Sequence, residues 1–597
     1  MVGYNPNNPI IVQSDKTVLL EVNNPQYQEA RDALARFAEL EKSPEHIHTY
    51  RITPLSLWNA AAAGLTADAV VETLIRFGKY DLPANIAADV RDYISRYGRL
   101  KLIKRDGQLL LVSEDVPLIT EIANHKQFVQ FLRGRIDERT LRVDPAQRGH
   151  IKQALVHFGF PAEDLAGYVQ GAPLSIHLLE STRSGIKFRL RDYQREAAEI
   201  FYAAGEARGG SGVIVLPCGA GKTMVGLGIM EELQCATLIL TPSTVAAHQW
   251  IDEILDKTSI PKDEIGEYTG HRKDIRPVTV TNYQIITYRR GRDEFPHFAL
   301  FNERDWGLII YDEVHLLPAP VFRITAEIQA RRRLGLTATL VREDGRETDV
   351  FSLIGPKKYD VPWKDLERQG WIATAECHEI RIPMPEDIRM SYAIAEEREK
   401  YRLAAENPDK LTVMSQLLEK HPDDLVLIIG QFIGQLHTIA ETIGAPLVTG
   451  KTPVREREKL YAKFKSGELK RLVVSKVANF SIDLPDANVA IQVSGTYGSR
   501  QEEAQRLGRI LRPKRNGLLA HFYSLVTRDT KDQVFAANRQ LFLTEQGYRY
   551  EILYGDEVAQ YQPTTLDLTG FTQKCNEPTR REEPRKLTSG HREDNDW

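Results

Sequence analysis

Ten short apolar runs constrain this chain more than any other feature. GVIVLP, TLILTP, VTVTNYQ, GLIIYDE and RLGLTAT fall between residues 212 and 339, and LVLIIG, APLVTG, RLVVSK, ANVAIQVS and LLAHFYSLV between 425 and 526. Each has strand length and is rich in Val, Ile and Leu without regular alternation. A strand in a parallel sheet carries helices over both faces, so both faces must be apolar. Helical stretches separate the runs. Two series therefore predict two α/β domains in tandem, at 184–365 and 366–560.

The flanks read differently. Residues 1–100 predict a mostly helical domain. PQYQEARDALARFAELEK (25–42) and TADAVVETLIRF (66–77) repeat apolar residues at three- and four-residue spacing. TPLSLWNAAAAG offers Thr53 as a cap, Pro54 in the first turn and Gly64 as a stop. At 101–183 a small mixed domain is expected. Its strongest signal is LKLIKRDGQLLLVS, where Asp106-Gly107 separates two β-rich runs as in a hairpin. LRGRIDERTLRV follows with Arg133, Arg135, Arg139 and Arg142. The plain reading is a solvated charged face, and the sharper one is a nucleic-acid contact. Between the two α/β domains, 390–418 is charged and helical in pattern. The tail at 561–597 has few apolar residues and is expected to be disordered.

Composition excludes several classes. Net charge is −4, so the chain is not basic throughout, although a local stripe suffices for nucleic acid. Cys218, Cys235, Cys377 and Cys575 are far apart with no C-x-x-C, which argues against a zinc or iron–sulfur site and for a reducing cytoplasm. No signal-peptide pattern opens the chain, and no apolar run approaches the ~20 residues of a membrane span.

The chemistry begins at VIVLPCGAGKTMVGLGIMEEL, a strand, a glycine turn and a helix. Gly219 and Gly221 allow a tight turn whose N–H groups, with that of Ala220, face a phosphate. Lys222 reaches terminal phosphates, and Thr223 offers a hydroxyl to Mg²⁺. Leu216 stands where the full motif has its first glycine. LIIYDEVHLLP then ends an apolar strand, expected beside the cradle strand, on Asp312 and Glu313. Ligands of parallel sheets sit at the carboxyl ends of strands. Two adjacent acids there suit a metal carboxylate and a base that activates water.

AGKT, DEVH, GLTAT (335–339) and QEEAQRLGRILR (501–512), in this order, resemble the superfamily 2 helicases. LPCGAGKT, TATLVRED (337–344), SIDLPDANVAIQ (481–492) and GSRQEEAQRLGRILR (498–512) narrow the resemblance to the XPB family of DNA repair helicases, over most of 185–550. The resemblance implies two RecA-like domains with ATP and Mg²⁺ between them, a helical thumb at 390–418 and 3′ to 5′ movement on DNA. It implies phosphate and metal roles for Lys222 and Thr223, a metal role for Asp312 and a base role for Glu313. His315 would couple hydrolysis to the second domain, Gln505 would sense the γ-phosphate, and Arg509 and Arg512 would be arginine fingers. Arg191 and Gln194 stand where such helicases read adenine, and Asp483 where they contact ribose. Thr241, Ser243, Gln249, Thr281, Gln284 and Thr449 match backbone contacts to DNA, and Arg342, Glu343 and Asp344 an element associated with strand separation. The chain departs from many relatives at Asn479-Phe480, where they carry Gly-Asp. Residues before 185 would hold a damage-recognition domain.

Three functions stay open at this level. One is a DNA helicase acting in nucleotide excision repair, a monomeric motor with a partner nuclease or repair factors. Another is an RNA helicase or a duplex translocase that never separates strands. The third is a nucleotide-gated scaffold with little turnover.

Overall fold

The computed structural model describes residues 4–564 apart from 43–45, 184, 207–208, 218, 271, 291–294, 330, 339–346, 362, 476–486, 496–502, 504–505, 509 and 511–518. The first hundred residues are less helical than expected. Strands β1 (Ile10–Val12), β2 (Thr17–Glu21), β3 (Glu39–Lys42) and β4 (Ile47–Arg51) form an antiparallel sheet in the order β1-β2-β4-β3. The helix expected across 25–42 stops at Leu34, and β3 then pairs Leu40 with Tyr50. Leu40 and Tyr50 are both buried, so edge pairing outweighs helix propensity there. The cap signals hold locally. Thr53 accepts from Ser56 N at the start of Pro54–Ala62, and Thr66 caps Ala67–Phe77.

Strands β5 (Lys101–Arg105), β6 (Gln108–Val112), β7 (Leu132–Asp137), β8 (Thr140–Val143) and β9 (Glu163–Leu165) make a second small sheet, ordered β7-β8-β6-β5-β9. Asp106 and Gly107 both take positive φ, 51° and 76°, as the two-residue hairpin turn requires. The arginines of β7 and its neighbours are exposed and largely engaged locally. Arg133 pairs with Asp144, Arg135 donates to the carbonyls of Asp137 and Glu138, and Arg139 meets Glu114 at 2.5 Å.

The first α/β domain has strands β10 (Ser211–Val215), β11 (Thr237–Thr241), β12 (Ile265–Tyr268), β13 (Val278–Asn282), β14 (Leu308–Asp312), β15 (Arg332–Thr337) and β16 (Lys357–Asp360). All pair in parallel, in the order β12-β13-β11-β14-β15-β10-β16. Successive residues feed opposite cores: Ile214 and Ile310 join one cluster, Val213, Val215 and Ile309 the other. That is why the runs do not alternate. The acidic strand is not beside the cradle strand as expected, because β15 lies between β14 and β10. Apolar run length does not encode strand order.

The second domain repeats the plan with β17 (Ala375–Ile382), β18 (Val426–Ile429), β19 (Leu447–Val448), β20 (Arg471–Val474), β21 (Val489–Gln492), β22 (Ala520–Thr527) and β23 (Tyr550–Tyr554), ordered β19-β20-β18-β21-β22-β17-β23 and all parallel. The region of the expected thumb is helical in three pieces, Glu386–Ile394, Glu397–Ala405 and Asp409–Lys420. Only the first buries no residue, exposing Met390 and Ile394. The last packs Val413, Met414, Leu417 and Leu418 into the sheet core, so it belongs to the domain rather than to a projection. Of the tail, 565–597 lies outside the described residues. Tyr561, assigned to it by composition, packs against His378 and Tyr523.

Candidate nucleotide site

The parallel register brings three strand ends together: Val215 lies opposite Thr337, and Asp312 opposite Leu336. The chain leaves β10 and turns through Gly219 (φ 84°) and Gly221 (φ 80°) into the helix Lys222–Leu233. Left-handed φ at both is what glycine allows cheaply. A Cβ at Gly221 would stand 2.5 Å from Gln194 Nε2. Tyr193 Oη and Gln194 Nε2 both donate to Ala220 O, at 2.6 and 2.8 Å, so they brace the turn from outside. Gln194 Oε1 accepts from Arg191 N at 3.0 Å. Both ends of the Gln194 amide are therefore engaged, and it braces the cradle here rather than presenting an edge to a base. The Arg191 guanidinium lies over the Trp371 ring at 4.6 Å, joining the cradle to the start of the second domain.

Asp312 and Glu313 emerge at the end of β14. Burial and the neighbouring Glu313 charge push the Asp312 carboxyl up to about 6, against donation from Trp250 and the Lys222 charge. Trp250 Nε1 donates to Asp312 Oδ2 at 3.0 Å, and Tyr283 Oη to Asp312 O at 2.8 Å. Glu313 sits at φ 49°, ψ 56°, a left-handed conformation that costs a side-chain-bearing residue about 1–3 kcal/mol. The bend aims its carboxylate inward: Oε1 is 3.2 Å from Lys222 Nζ and Oε2 is 3.4 Å from His315 Nδ1. His315 Nδ1 is 2.7 Å from Thr337 Oγ1, at the end of the intervening β15. A chain of contacts thus runs Lys222–Glu313–His315–Thr337.

These groups suit a phosphate with a divalent cation. The turn supplies backbone donors at a helix start, Thr223 follows Lys222 in the first turn, and a half-buried pair of adjacent carboxylates calls for positive charge.

The expected DNA-contact residues divide. Thr241 and Thr281 are fully buried, and Thr241 Oγ1 donates to the carbonyls of Thr281 and Ser243. As surface phosphate contacts these two are corrected: they end buried strands and face inward. Ser243 caps the helix Thr244–Lys257 by accepting from Ala246 N. Gln249 is half-buried on that helix, Gln284 is exposed, and Thr449 is half-buried in a turn closed by Thr452. Arg342, Glu343, Asp344, Asp483, Gln505, Arg509 and Arg512 lie outside the described residues.

Sequence reasoning missed Trp250, Tyr283 and Tyr193. A buried Trp or Tyr needs an acceptor for its polar hydrogen, and that was the available signal. Gly226 was missed too. A Cβ there would stand 2.6 Å from Trp250 Cη2, so the glycine admits the indole to Asp312.

Fold and site together define a tandem RecA-like motor with a phosphate cradle and a carboxylate pair in its first domain. Three family models match: an ERCC3/RAD25/XPB C-terminal helicase over 366–574, a type III restriction enzyme res subunit over 187–342, and a helicase conserved C-terminal domain over 10–137. The chain is 56% identical to the DNA 3′-5′ helicase XPB of Mycobacterium tuberculosis, over 92% of this chain and 98% of that protein. The same-named protein of Kineococcus radiotolerans is 55% identical over 92% and 97%. The general transcription and DNA repair factor IIH helicase/translocase subunit XPB/SSL2 of Saccharomyces cerevisiae is 30% identical over 91% of this chain and 72% of its own. The chain belongs to the XPB family of DNA helicases. Among its described residues no helix is long and apolar enough to cross a membrane.

Proposed function

We propose that this protein is an ATP-dependent 3′ to 5′ DNA helicase acting in DNA repair. The observation that carries the reading is Glu313, bent at the end of β14 so that its carboxylate meets Lys222 and His315. Lys222 and the N–H groups of Gly219–Thr223 bind the ATP phosphates. Thr223 and Asp312 hold Mg²⁺, which when bound neutralises phosphate charge. Glu313 orients the attacking water and takes its proton, and Trp250 fixes the rotamer of Asp312. His315, through Thr337, links the state of Glu313 to β15 and so to the segment after it. Gln505, Arg509 and Arg512 from the second domain complete the site, and Asp483 contacts the ribose. On the DNA side, Ser243, Gln249 and Thr449 hold the phosphate backbone without reading sequence, and Arg342, Glu343 and Asp344 act where strands part. The helix capped by Ser243 also carries Trp250, so DNA contact and the metal carboxylate share one rigid element.

We further propose a cytoplasmic, monomeric motor that works beside a repair nuclease, a partnership checked by co-purification from its native host. The function itself is tested by steady-state ATPase without nucleic acid and with single-stranded DNA, forked DNA or RNA. Stimulation by DNA above RNA is expected. Equal stimulation by RNA, or none by either, contradicts the reading.

A further inference from the structure

Among the described residues, one group of histidine and acidic side chains close enough to share a metal lies outside the motor chemistry, at the amino ends of the second sheet. Glu376 and His378 are two apart on β17, so they share a face. On β22, His521 stands opposite Glu376 and Tyr523 opposite His378. Glu376 Oε2 lies 3.6 Å from His521 Nδ1 and 3.8 Å from His378 Nε2. A tetrahedral zinc site with bonds of ~2.0–2.1 Å separates its donors by about 3.4 Å. The Glu376 oxygen is within a few tenths of that from both imidazole nitrogens, and one donor atom from each of the three residues lies within 4.8 Å of the others. His378 and His521 side chains are 1% and 7% exposed, while Glu376, at 30%, leaves a way in from solvent. Glu376 Oε2 is itself buried and accepts no hydrogen bond.

The surroundings match a ligand site rather than a chance grouping. The Glu551 carboxylate lies 3.6 Å from the other His378 nitrogen, Nδ1. That is an ion-pair distance rather than a hydrogen bond, and it leaves a carboxylate on the side where Nδ1–H would donate once Nε2 held a metal. His378 also stacks on Tyr523, with ring centroids 5.2 Å apart, so its ring plane is held. Tyr561 Oη is 3.0 Å from His378 Nε2, which brings the end of the described chain to the same atom.

We propose that Glu376, His378 and His521 form a zinc site, with Tyr561 or a water as the fourth ligand, that clamps the chain's carboxyl-terminal segment to the second sheet. Two imidazoles and one carboxylate are a donor set that suits Zn²⁺. The site lies apart from Asp312, which belongs to the other sheet.

The test uses the full chain, stripped with chelator, incubated with ZnCl₂ without nucleotide or magnesium, desalted and assayed for bound metal. Wild type is expected to keep roughly one zinc per chain, as a three-ligand protein site does. His378→Gln and His521→Gln should lose it, as should Glu376→Gln, whose partly exposed side chain tolerates change. Asp312→Asn should keep it. With Co²⁺ in place of Zn²⁺, wild type should show the visible absorption of tetrahedral cobalt, and Glu376→Gln should not. No retained metal in wild type overturns the proposal. So does equal retention by wild type and Glu376→Gln, or loss in Asp312→Asn alone, which would put the metal in the nucleotide site.

Discussion

The two α/β domains share one plan, seven parallel strands, yet they place their charged pairs at different depths. In the first, Lys222 and Glu313 remain 11% and 18% exposed and meet at a strand end. In the second, Lys410 and Asp532 are 1% and 0% exposed and pair at 2.7 Å, while Arg539 and Glu503 are equally sealed. Lys410 also donates to Val493 O at 3.0 Å, and Asp532 accepts from Thr527 N at 3.1 Å. That pair ties the helices Asp409–Lys420 and Lys531–Glu545 to the ends of β21 and β22. The contrast teaches that one sheet can present charge to a ligand or consume it in packing, and burial at the strand ends separates the two uses. Lys410, in the segment expected as a thumb, belongs to the second use.

The contrast can be broken by substitution, with the largest effect expected first. Glu313→Gln keeps shape and removes the base. Steady-state ATPase should fall about 10²–10⁴-fold while nucleotide binding persists. Lys410→Met leaves Asp532 buried without its nearest cation. It should cost about 3–5 kcal/mol, read from the urea unfolding transition of the second domain, and replacing Asp532 by Leu as well should restore most of it. If Lys410→Met instead leaves the transition unmoved and only slows ATPase, the packing role is wrong. Trp250→Phe keeps an aromatic ring but removes the pyrrole half of the indole and with it the donor to Asp312. A hydrogen bond to a charged group is worth about 1.5–3 kcal/mol, so turnover should drop roughly 10- to 100-fold, while the cavity left by the smaller ring also lowers the unfolding transition. Gln194→Ala removes the brace on Ala220. At about 1 kcal/mol, KM for ATP should rise roughly fivefold with kcat little altered.

Much of this was legible in the sequence. Runs such as GLIIYDE in the first domain and LVLIIG in the second showed both sheets, because a doubly covered strand must be apolar throughout. Gly219, Gly221, Asp312 and Glu313 were legible because their chemistry is local to a turn or a strand end. What depends on strand order was not. The insertion of β15 between cradle and acids, and with it the Thr337–His315 link, follows from pairing that no local pattern encodes. Nor could sequence separate Thr241, turned inward at a strand end, from Ser243 two residues on. Residues 39–42 read as the end of a helix because their edge pairing is a tertiary property.

The most direct measurement is unwinding of a DNA duplex carrying either a 3′ or a 5′ single-stranded tail, with ATP and Mg²⁺, by wild type and by Glu313→Gln. Wild type should unwind from the 3′ tail in an ATP-dependent way, and the variant should not unwind either substrate. Unwinding only from the 5′ tail, or unwinding that survives Glu313→Gln, would contradict a 3′ to 5′ motor that depends on Glu313.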